Sequence, residues 1–243
     1  MCAGMLFFWR YAAVKKLFRI TLSPFERGLY VMSLLVTAGT YLLFQAGAPG
    51  SVLPLAASLT GVTALILVAK GHALGQVLTI VFAVLYGVIS FKTRYYGEMI
   101  TYLGMTAPMA LMALVTWLRN PYRGTQEVAV RQLSVRDAAV MLVLSALVTA
   151  AFWFILRAMG NAALPVSTLS VTTSFLASYL TALRSPYYAL AYAANDLVLI
   201  VLWVIASSAD PSGVPMVACF AMFLVNDLYG FVNWRRMARR QRG

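Results

Sequence analysis

The sequence is poor in acidic side chains and in metal-binding side chains. Among 243 residues it has 7 Asp and Glu against 19 Lys and Arg, with one histidine and two cysteines. Cys2 is terminal and Cys219 lies within an apolar run, so the sequence predicts two free thiols rather than a disulfide framework. One histidine and two distant cysteines do not supply the ligands of a usual metal site, so we expect no bound metal.

Motifs of common soluble enzymes and pumps are also missing. The chain has no Gly-x-Ser-x-Gly turn, no His-Glu-x-x-His pair and no Gly-x-x-x-x-Gly-Lys-Ser/Thr loop. These absences argue against hydrolysis by a serine nucleophile, zinc chemistry and ATP-driven pumping by this chain alone. We therefore expect no catalytic residues, no cofactor and no enzymatic activity.

Apolar residues dominate the sequence instead. Hydrophobic residues make up 62% of the chain and charged residues 11%, whereas soluble domains carry about 25% charge. The apolar runs have the length of a bilayer and predict eight membrane-spanning helices. A leader with a cleavage site is not recognisable, so residues 1–27 are interpreted as a retained cytoplasmic segment. The predicted spans are 28–46, 51–69, 73–91, 96–118, 137–157, 164–183, 187–207 and 213–234.

The basic residues orient these spans. If the N-terminus is cytoplasmic, sixteen Lys and Arg fall in cytoplasmic segments and three fall outside. This asymmetry predicts cytoplasmic N- and C-termini, because cytoplasmic loops of membrane proteins are rich in Lys and Arg. The basic tail at 235–243 is accordingly interpreted as an anchor at the lipid surface, and no nucleic-acid partner is expected.

The chain also shows a weak internal repeat. Three helices joined by short loops occupy 51–118, and three more occupy 164–234, with the single helix 137–157 between them. An odd number of helices between two triplets gives both the same orientation, so the repeats are expected to be parallel. Transporters built in this way bind substrate near the midplane between the repeats.

Polar residues within the spans are expensive and mark candidate sites. Tyr188, Tyr192 and Asn195 share one helical face, and so do Asn226, Tyr229 and Asn233. Asp227 belongs to a neighbouring stripe with Gly230 and Trp234. Asp196 and Asp227 have two interpretations, either contact with a substrate or hydrogen bonds to neighbouring helices.

Other polar and aromatic residues can be explained by structural roles as well as by functional ones. Tyr95, Tyr96 and Trp234 lie near span ends, which favours a role in the aromatic belt of the membrane surface. For Glu98 and Asn233 an interfacial or capping role is as acceptable as a functional one. His72 lies at a loop, where a structural role is favoured.

Taken together, several segments resemble the PnuC family of bacterial vitamin transporters. The matching segments are residues 58–71, Leu85–Gly87, Tyr95–Met99, Asn195-Asp196 and Phe223–Trp234. The resemblance implies an all-α integral membrane protein with a 3+1+3 core of two parallel triple-helix bundles, similar to the sugar transporters called SWEETs. One extra N-terminal helix precedes that core. It further implies a homotrimer and facilitated diffusion, with the substrate trapped by a separate cytoplasmic kinase.

The resemblance also implies a binding site between the two triplets. Many relatives carry a Trp-x-x-Trp pattern where this chain has Tyr188 and Tyr192, so the substrate is open among nicotinamide riboside, thiamine and riboflavin. Our hypothesis is a nicotinamide riboside uniporter of the bacterial inner membrane. A channel and an intramembrane enzyme using buried carboxylates are the alternatives. The candidate binding residues are Gln76, Tyr188, Tyr192, Asn195, Asp196, Asn226, Asp227, Tyr229 and Asn233.

Overall fold

The computed structural model describes residues 20–44, 52–161 and 163–243, and long helices joined by short connections make up most of this part of the chain. Most of the predicted N-terminal segment, with Cys2, lies outside the described residues. We number the long helices in chain order. They are α1 Pro24–Phe44, α2 Val52–Ala69, α3 Leu74–Lys92, α4 Tyr96–Arg119, α5 Val135–Ala158, α6 Leu164–Ala182, α7 Tyr188–Ala209 and α8 Val214–Arg240.

These helices confirm the prediction of an all-α membrane protein. Within the described ranges, seven of the eight are long and apolar enough to cross a membrane. The remaining one, α6, has 19 residues and is rich in Ser and Thr, which lowers its hydropathy. Its threonine hydroxyls bond to carbonyls one turn earlier, as in the 2.8 Å bond from Thr168 Oγ1 to the Leu164 carbonyl. Such bonds satisfy the hydroxyls within the helix itself, which suits a helix in lipid.

Two helix ends differ from the sequence-based boundaries. Helix α1 begins at Pro24, because Ser23 and Glu26 cap it reciprocally: the Ser23 N–H donates to Glu26 Oε2 at 2.6 Å and the Glu26 N–H donates to Ser23 Oγ at 3.2 Å. Helix α8 continues to Arg240, so most of the predicted tail at 235–243 is helical. Charge ends a membrane span, but arginine is a good helix former and does not end the helix.

Six of the helices form a closed ring. Each of α2, α3, α4, α6, α7 and α8 contacts the next, and α8 contacts α2 to complete the circuit. Helix α1 packs on the outside of the ring against α2 and α8, and α5 packs mainly against α6. The positions of α1 and α5 outside the ring agree with the predicted extra N-terminal helix and the predicted linker helix. The division of the ring into two SWEET-like bundles stays a prediction.

Matching turns end the first helix of each triplet. Gly71 follows α2 with a φ of 66°, and Arg184 follows α6 with a φ of 60°. In each turn the next N–H reaches back to the helix: His72 bonds the Leu67 carbonyl at 2.9 Å, and Ser185 bonds the Leu180 carbonyl at 3.0 Å. Glycine adopts this left-handed conformation freely, whereas arginine adopts it at a cost.

An extended segment, residues 127–131, connects these two turns, and we call it the strap. Its Val128 N–H donates to the Gly71 carbonyl at 3.0 Å, and its Arg131 N–H donates to the Arg184 carbonyl at 3.0 Å. The Arg240 guanidinium holds Glu127 of the strap at 2.6 Å. The strap therefore ties both turns and the end of α8 together at one end of the ring. We call this the basic end, and the end carrying Lys92 and Asp210 the far end.

Candidate functional site

A small cavity, mostly apolar in its lining but bordered by several polar side chains, lies at the centre of the ring. Its volume is about 50 Å³, and every ring helix contributes to its wall. Gly61 of α2 allows this tight closure, because a Cβ there would come within 2.2 Å of the Phe223 ring. The polar residues of the wall are Gln76, Thr79, Thr106, Thr181, Tyr192, Asn195, Asp196 and Asp227.

Five of the nine predicted site residues therefore meet at the central cavity: Gln76, Tyr192, Asn195, Asp196 and Asp227. The Asn195 side chain is held by α6, since its Oδ1 accepts hydrogen bonds from Thr173 Oγ1 at 2.8 Å and Ser174 Oγ at 3.0 Å. With its carbonyl occupied in this way, Asn195 presents its amide N–H groups as donors.

The two aspartates of the cavity are adjacent in space. Asp196 of α7 and Asp227 of α8 are within hydrogen-bond reach of each other, and each is 3% exposed. Asp196 Oδ2 and Thr106 Oγ1 are buried without a hydrogen-bond partner among the described residues. Buried polar atoms are nearly always hydrogen-bonded, so unpartnered ones lining a cavity indicate a site for a polar ligand.

Three predicted site residues lie on the other side of α8. As the spacing predicts, Asn226, Tyr229 and Asn233 share a face, but this face is turned towards α1 and α2. Asn226 Nδ2 donates to Ser33 Oγ at 3.0 Å, and the Tyr229 hydroxyl donates to Glu26 Oε1 at 2.7 Å. Asn233 Nδ2 donates to the carbonyl of α2's last residue at 2.8 Å. The structure does not place these three side chains on the central cavity.

The ninth residue, Tyr188, belongs to an aromatic cluster on the side of the cavity that faces the basic end. Its ring contacts Trp234 edge-on with centroids 4.9 Å apart, and Trp117 lies 5.3 Å from Trp234. The Trp117 and Trp234 indoles donate to the carbonyls of cavity-lining residues, Thr181 at 3.0 Å and Val68 at 2.9 Å. We call Trp117, Tyr188 and Trp234 the indole plug. Each of its indoles joins a helix of one triplet to a helix of the other.

The aromatic-belt prediction for Trp234 is wrong. The side chain is fully buried, because its indole N–H has a carbonyl partner inside the protein. The indole itself packs among the helices, between the central cavity and the basic end. The same prediction fails for Tyr95, which is 6% exposed and lies 5.8 Å from the Trp203 ring. Glu98 is fully buried as well, so it is not an interfacial residue.

A second group of aromatic side chains covers the cavity towards the far end. We call Phe82, Tyr86, Tyr102, Trp203, Phe220 and Phe223 the aromatic layer. Tyr86 lies at its centre, with Tyr102 4.4 Å away and its hydroxyl accepting a 2.8 Å hydrogen bond from Trp203 Nε1. Three members of the layer, Phe82, Tyr102 and Phe223, also line the central cavity. The layer therefore forms the wall of the cavity that faces the far end.

Beyond the aromatic layer a wider cavity, which we call the vestibule, lies at the far end. Its volume is about 490 Å³, and its lining includes Trp203, Lys92 and Asp210. Hydrogen bonds from the Ser212 hydroxyl at 2.7 Å and backbone N–H at 2.9 Å hold the pKa of the Asp210 carboxyl below its ordinary value. The vestibule is therefore lined by one carboxylate, Asp210, and one ammonium group, Lys92.

Sequence reasoning missed the contribution of α4 to the site. Thr101–Thr106 forms a turn of π-helix within α4, and it carries two cavity-lining residues, Tyr102 and Thr106. Single π-helical turns inside α-helices are frequent at functional sites. The signals in the sequence are Gly104 and Pro108, because proline has no N–H to bond the carbonyl four residues earlier.

Membrane-length helices arranged as a ring around a small cavity, with buried carboxyl and amide side chains in its wall and aromatic residues on both sides, are the architecture of a membrane transporter. The sequence profile of the family described as nicotinamide mononucleotide transporter matches residues 51–236. The chain belongs to this family, which is the family whose PnuC members it resembles by motif.

Individual relatives agree with this assignment. The chain is 26% identical over 200 residues to the nicotinamide riboside transporter PnuC of Neisseria mucosa, a match that covers 80% of this chain and 76% of the relative. It is 24% identical over 231 residues to the nicotinamide riboside transporter PnuC of Haemophilus influenzae, covering 94% and 97%. A crystal structure of the vitamin B3 transporter PnuC superposes with a TM-score of 0.80 at 24% identity, covering 95% of this chain and 98% of the other. The fold is therefore that of PnuC.

Proposed function

We propose that this transporter imports nicotinamide riboside through the central cavity. Two relatives that cover most of the chain are named for that substrate. The observation that carries the proposal is the buried Asp196–Asp227 pair, flanked by the amide side chains of Gln76 and Asn195. Nicotinamide riboside offers a positively charged pyridinium ring, a carboxamide and a ribose, each of which has a complement in this wall.

The aspartate pair suits a single positive charge. Two neighbouring buried carboxyl groups repel each other when both are ionised, so such a pair holds at least one proton and carries at most one negative charge. A pyridinium ring neutralises that charge. The Asn195 and Gln76 amides supply donors and acceptors for the carboxamide and the ribose hydroxyls. Tyr192 and the rings of the aromatic layer offer faces for stacking.

The volume of the cavity implies movement. Ligand sites are commonly about 300–1,000 Å³, and the central cavity is about 50 Å³. Substrate therefore enters only when helices of the ring separate. We propose that displacing the aromatic layer opens the cavity to the vestibule and displacing the indole plug opens it at the basic end, with the two triplets as the moving parts.

The surroundings of the transporter follow from the same proposal. Cytoplasmic loops carry most Lys and Arg, so the basic end faces the cytoplasm of a bacterium and the vestibule faces outwards across the inner membrane. Transport is uniport, and a separate kinase traps the substrate after import. The assembly is a homotrimer, and the chain itself performs no chemistry on its substrate.

Uptake into liposomes that contain the purified protein tests the proposal. We expect saturable uptake of radiolabelled nicotinamide riboside that stops at equal concentrations on both sides, with or without an imposed pH gradient. Accumulation that follows the pH gradient would contradict uniport. The same liposomes, challenged with excess thiamine or riboflavin, identify the preferred vitamin by competition.

The alternatives give different results in that assay. A channel would show flux that does not saturate. An enzyme would return a new chemical species, so the internal label is recovered and compared with the starting compound by chromatography. We expect the label to be unchanged nicotinamide riboside.

A further inference from the structure

A second cavity, at the basic end, is lined by arginine side chains. It lies between the end of α8, the residues that follow the strap and the turn after α6, and its volume is about 200 Å³. We call it the arginine cavity. Four guanidinium groups line it, from Arg131, Arg235, Arg239 and Arg242. It is separate from the central cavity and shares no lining residue with it.

Only one acidic residue of the chain neutralises part of this cluster. All 7 Asp and Glu lie within the described residues. Asp137 is paired with Arg131 at 2.6 Å, and it is the one acid that reaches the cluster. Three guanidiniums remain without an acidic partner. The other acids are Glu26, paired with Lys70, Glu127, paired with Arg240, the buried Glu98, Asp196 and Asp227, and Asp210 at the far end.

Several contacts hold the cluster in place. Arg235 Nη1 donates to the Tyr187 hydroxyl at 3.2 Å, and its guanidinium lies 5.9 Å from the Tyr187 ring centroid. The Gln132 side chain faces the Arg242 guanidinium. Gln241, between Arg240 and Arg242, accepts a 2.8 Å hydrogen bond from the Val130 N–H of the strap. These contacts fix Arg235 and Arg242 beside the cavity, and all four arginines are exposed to solvent, where an anion can reach them.

The electrostatics of the neighbourhood are unfavourable without an anion. Arg184 lies at the turn after α6 next to the cavity, and its Nη1 bonds the Ala129 carbonyl of the strap at 3.3 Å. Burial, and then the neighbouring Arg131, lower the pKa of the Arg184 guanidinium. Like charges held this close raise the free energy of the folded protein, and a bound anion would relieve that repulsion.

We propose that the arginine cavity is a binding site for a phosphate group. Planar guanidiniums form paired, charge-assisted hydrogen bonds with phosphate oxygens, and several of them around one cavity match a multiply charged anion better than a chloride ion. The phosphate has two possible sources at this end of a membrane protein, the headgroup of an anionic phospholipid and a soluble phosphorylated compound. A phosphate bound here would join α8, the strap and the turn after α6.

The test measures the thermal unfolding midpoint of the purified protein in a neutral detergent. One probe is inorganic pyrophosphate, with sodium chloride of equal ionic strength as its control. The other is a short-chain phosphatidylglycerol, with phosphatidylcholine of the same chain length as its control. The cavity variant is Arg239→Gln with Arg242→Gln. The matched variant, Arg119→Gln with Arg236→Gln, loses the same charge from exposed positions outside the cavity.

We expect at least one probe to raise the midpoint of the unaltered protein and of the matched variant, because a ligand that binds only the folded state stabilises it. In the cavity variant the apparent Kd should be weaker by roughly tenfold or more, since charged hydrogen bonds are lost. A response to pyrophosphate identifies a soluble phosphate source, and a response to phosphatidylglycerol alone identifies the lipid headgroup. Equal responses in the two variants, or no response to either probe, would overturn the proposal.

Both substituted pairs are exposed at the surface, so both variants are expected to fold. A third variant, Arg239→Lys with Arg242→Lys, keeps the charge and removes the planar guanidinium. It should bind the probe more weakly than the unaltered protein and more tightly than the glutamine variant. Binding equal to the unaltered protein would show a response to charge alone and would contradict the guanidinium site.

Discussion

The two faces of α8 use polar residues for different purposes. One face carries Asp227 to the central cavity and Trp234 to the indole plug. The other carries Asn226 and Tyr229 to α1. Asn226 and Asp227 are neighbours in sequence, but successive residues of a helix point about 100° apart, so one serves the cavity and the other serves helix packing. A polar residue in a membrane helix is therefore not by itself a sign of substrate contact.

The difference lies in how the polar groups are satisfied. On the α1 side, Glu26 is 3% exposed and accepts hydrogen bonds from Lys70 at 2.9 Å and from Tyr229 at 2.7 Å. The Asn226 amide N–H groups also have partners there, although Asn226 Oδ1 has none. On the cavity side, both Asp196 Oδ2 and Thr106 Oγ1 lack partners within the described ranges. Satisfied networks attach helices to each other, and unsatisfied groups around a cavity await a ligand.

The largest effect is expected at the cavity. Replacing both aspartates, Asp196→Asn with Asp227→Asn, leaves the pair without a negative charge, and a charged hydrogen bond contributes about 1.5–3 kcal/mol, so transport of a cationic substrate should fall by about 10- to 100-fold. The measurement is the initial rate of nicotinamide riboside uptake into liposomes, normalised to folded protein by gel filtration. Uptake within twofold of the unaltered protein would remove the aspartate pair from the site.

A smaller effect, on stability rather than transport, is expected on the α1 face. Glu26→Gln leaves Lys70 without its carboxylate in a partly buried position. We expect the free energy of unfolding to fall by about 1–3 kcal/mol, which is about 2–4 °C in the thermal midpoint per kcal/mol. Uptake by the folded fraction should persist. If the midpoint is unchanged while uptake is lost, the α1 contacts belong to the transport mechanism instead.

The indole plug is expected to respond more weakly. Trp234→Phe keeps an aromatic ring and removes the indole N–H that bonds the Val68 carbonyl, a loss of about 1 kcal/mol. The thermal midpoint should fall by about 2–4 °C. Val232→Ala, at a residue of α8 that is 45% exposed, controls for altering the helix without altering the plug. A shift no larger than the control's would show that the hydrogen bond contributes nothing.

The smallest effect is expected for Tyr229→Phe, which removes one hydroxyl from the Glu26 network and keeps the ring contact with Phe25 at 5.4 Å. Because Lys70 still holds the carboxylate, the stability loss should be at most about 1 kcal/mol. Uptake with unchanged KM is expected. A raised KM for nicotinamide riboside would return Tyr229 to the binding site.

The sequence was sufficient for the helices but not for the orientation of α8. Apolar runs of bilayer length locate the eight spans within a few residues, because that length is imposed by the membrane. The spacing of Asn226, Tyr229 and Asn233 also predicts their common face. Which face meets the cavity depends on packing, since both are buried. The missing signal was Glu26, an acid in the first turn of α1 whose partners are distant in sequence.

The site itself could be predicted where two conditions met. The first condition is a position well inside a span, where a polar side chain needs a partner within the membrane, and Asn195, Asp196 and Asp227 meet it. The second is a place on neighbouring helices, and α7 and α8 are neighbours in the ring. The aromatic residues were harder to assign. A tryptophan near a span end fits the membrane surface as well as the protein interior. Trp234 and Trp117 lie in the interior because their indole N–H groups find acceptors there, the carbonyls of Val68 and Thr181, which the sequence does not reveal.

The most direct test compares two neighbouring substitutions, Asp227→Leu and Asn226→Leu, by uptake of radiolabelled nicotinamide riboside into liposomes. If the central cavity is the binding site, Asp227→Leu should lose nearly all uptake, because it places an apolar side chain in the cavity wall, while folded Asn226→Leu protein should retain most of it. The opposite result, with uptake abolished in Asn226→Leu and kept in Asp227→Leu, would contradict a site at the central cavity. It would support the sequence-based prediction that Asn226 binds the substrate.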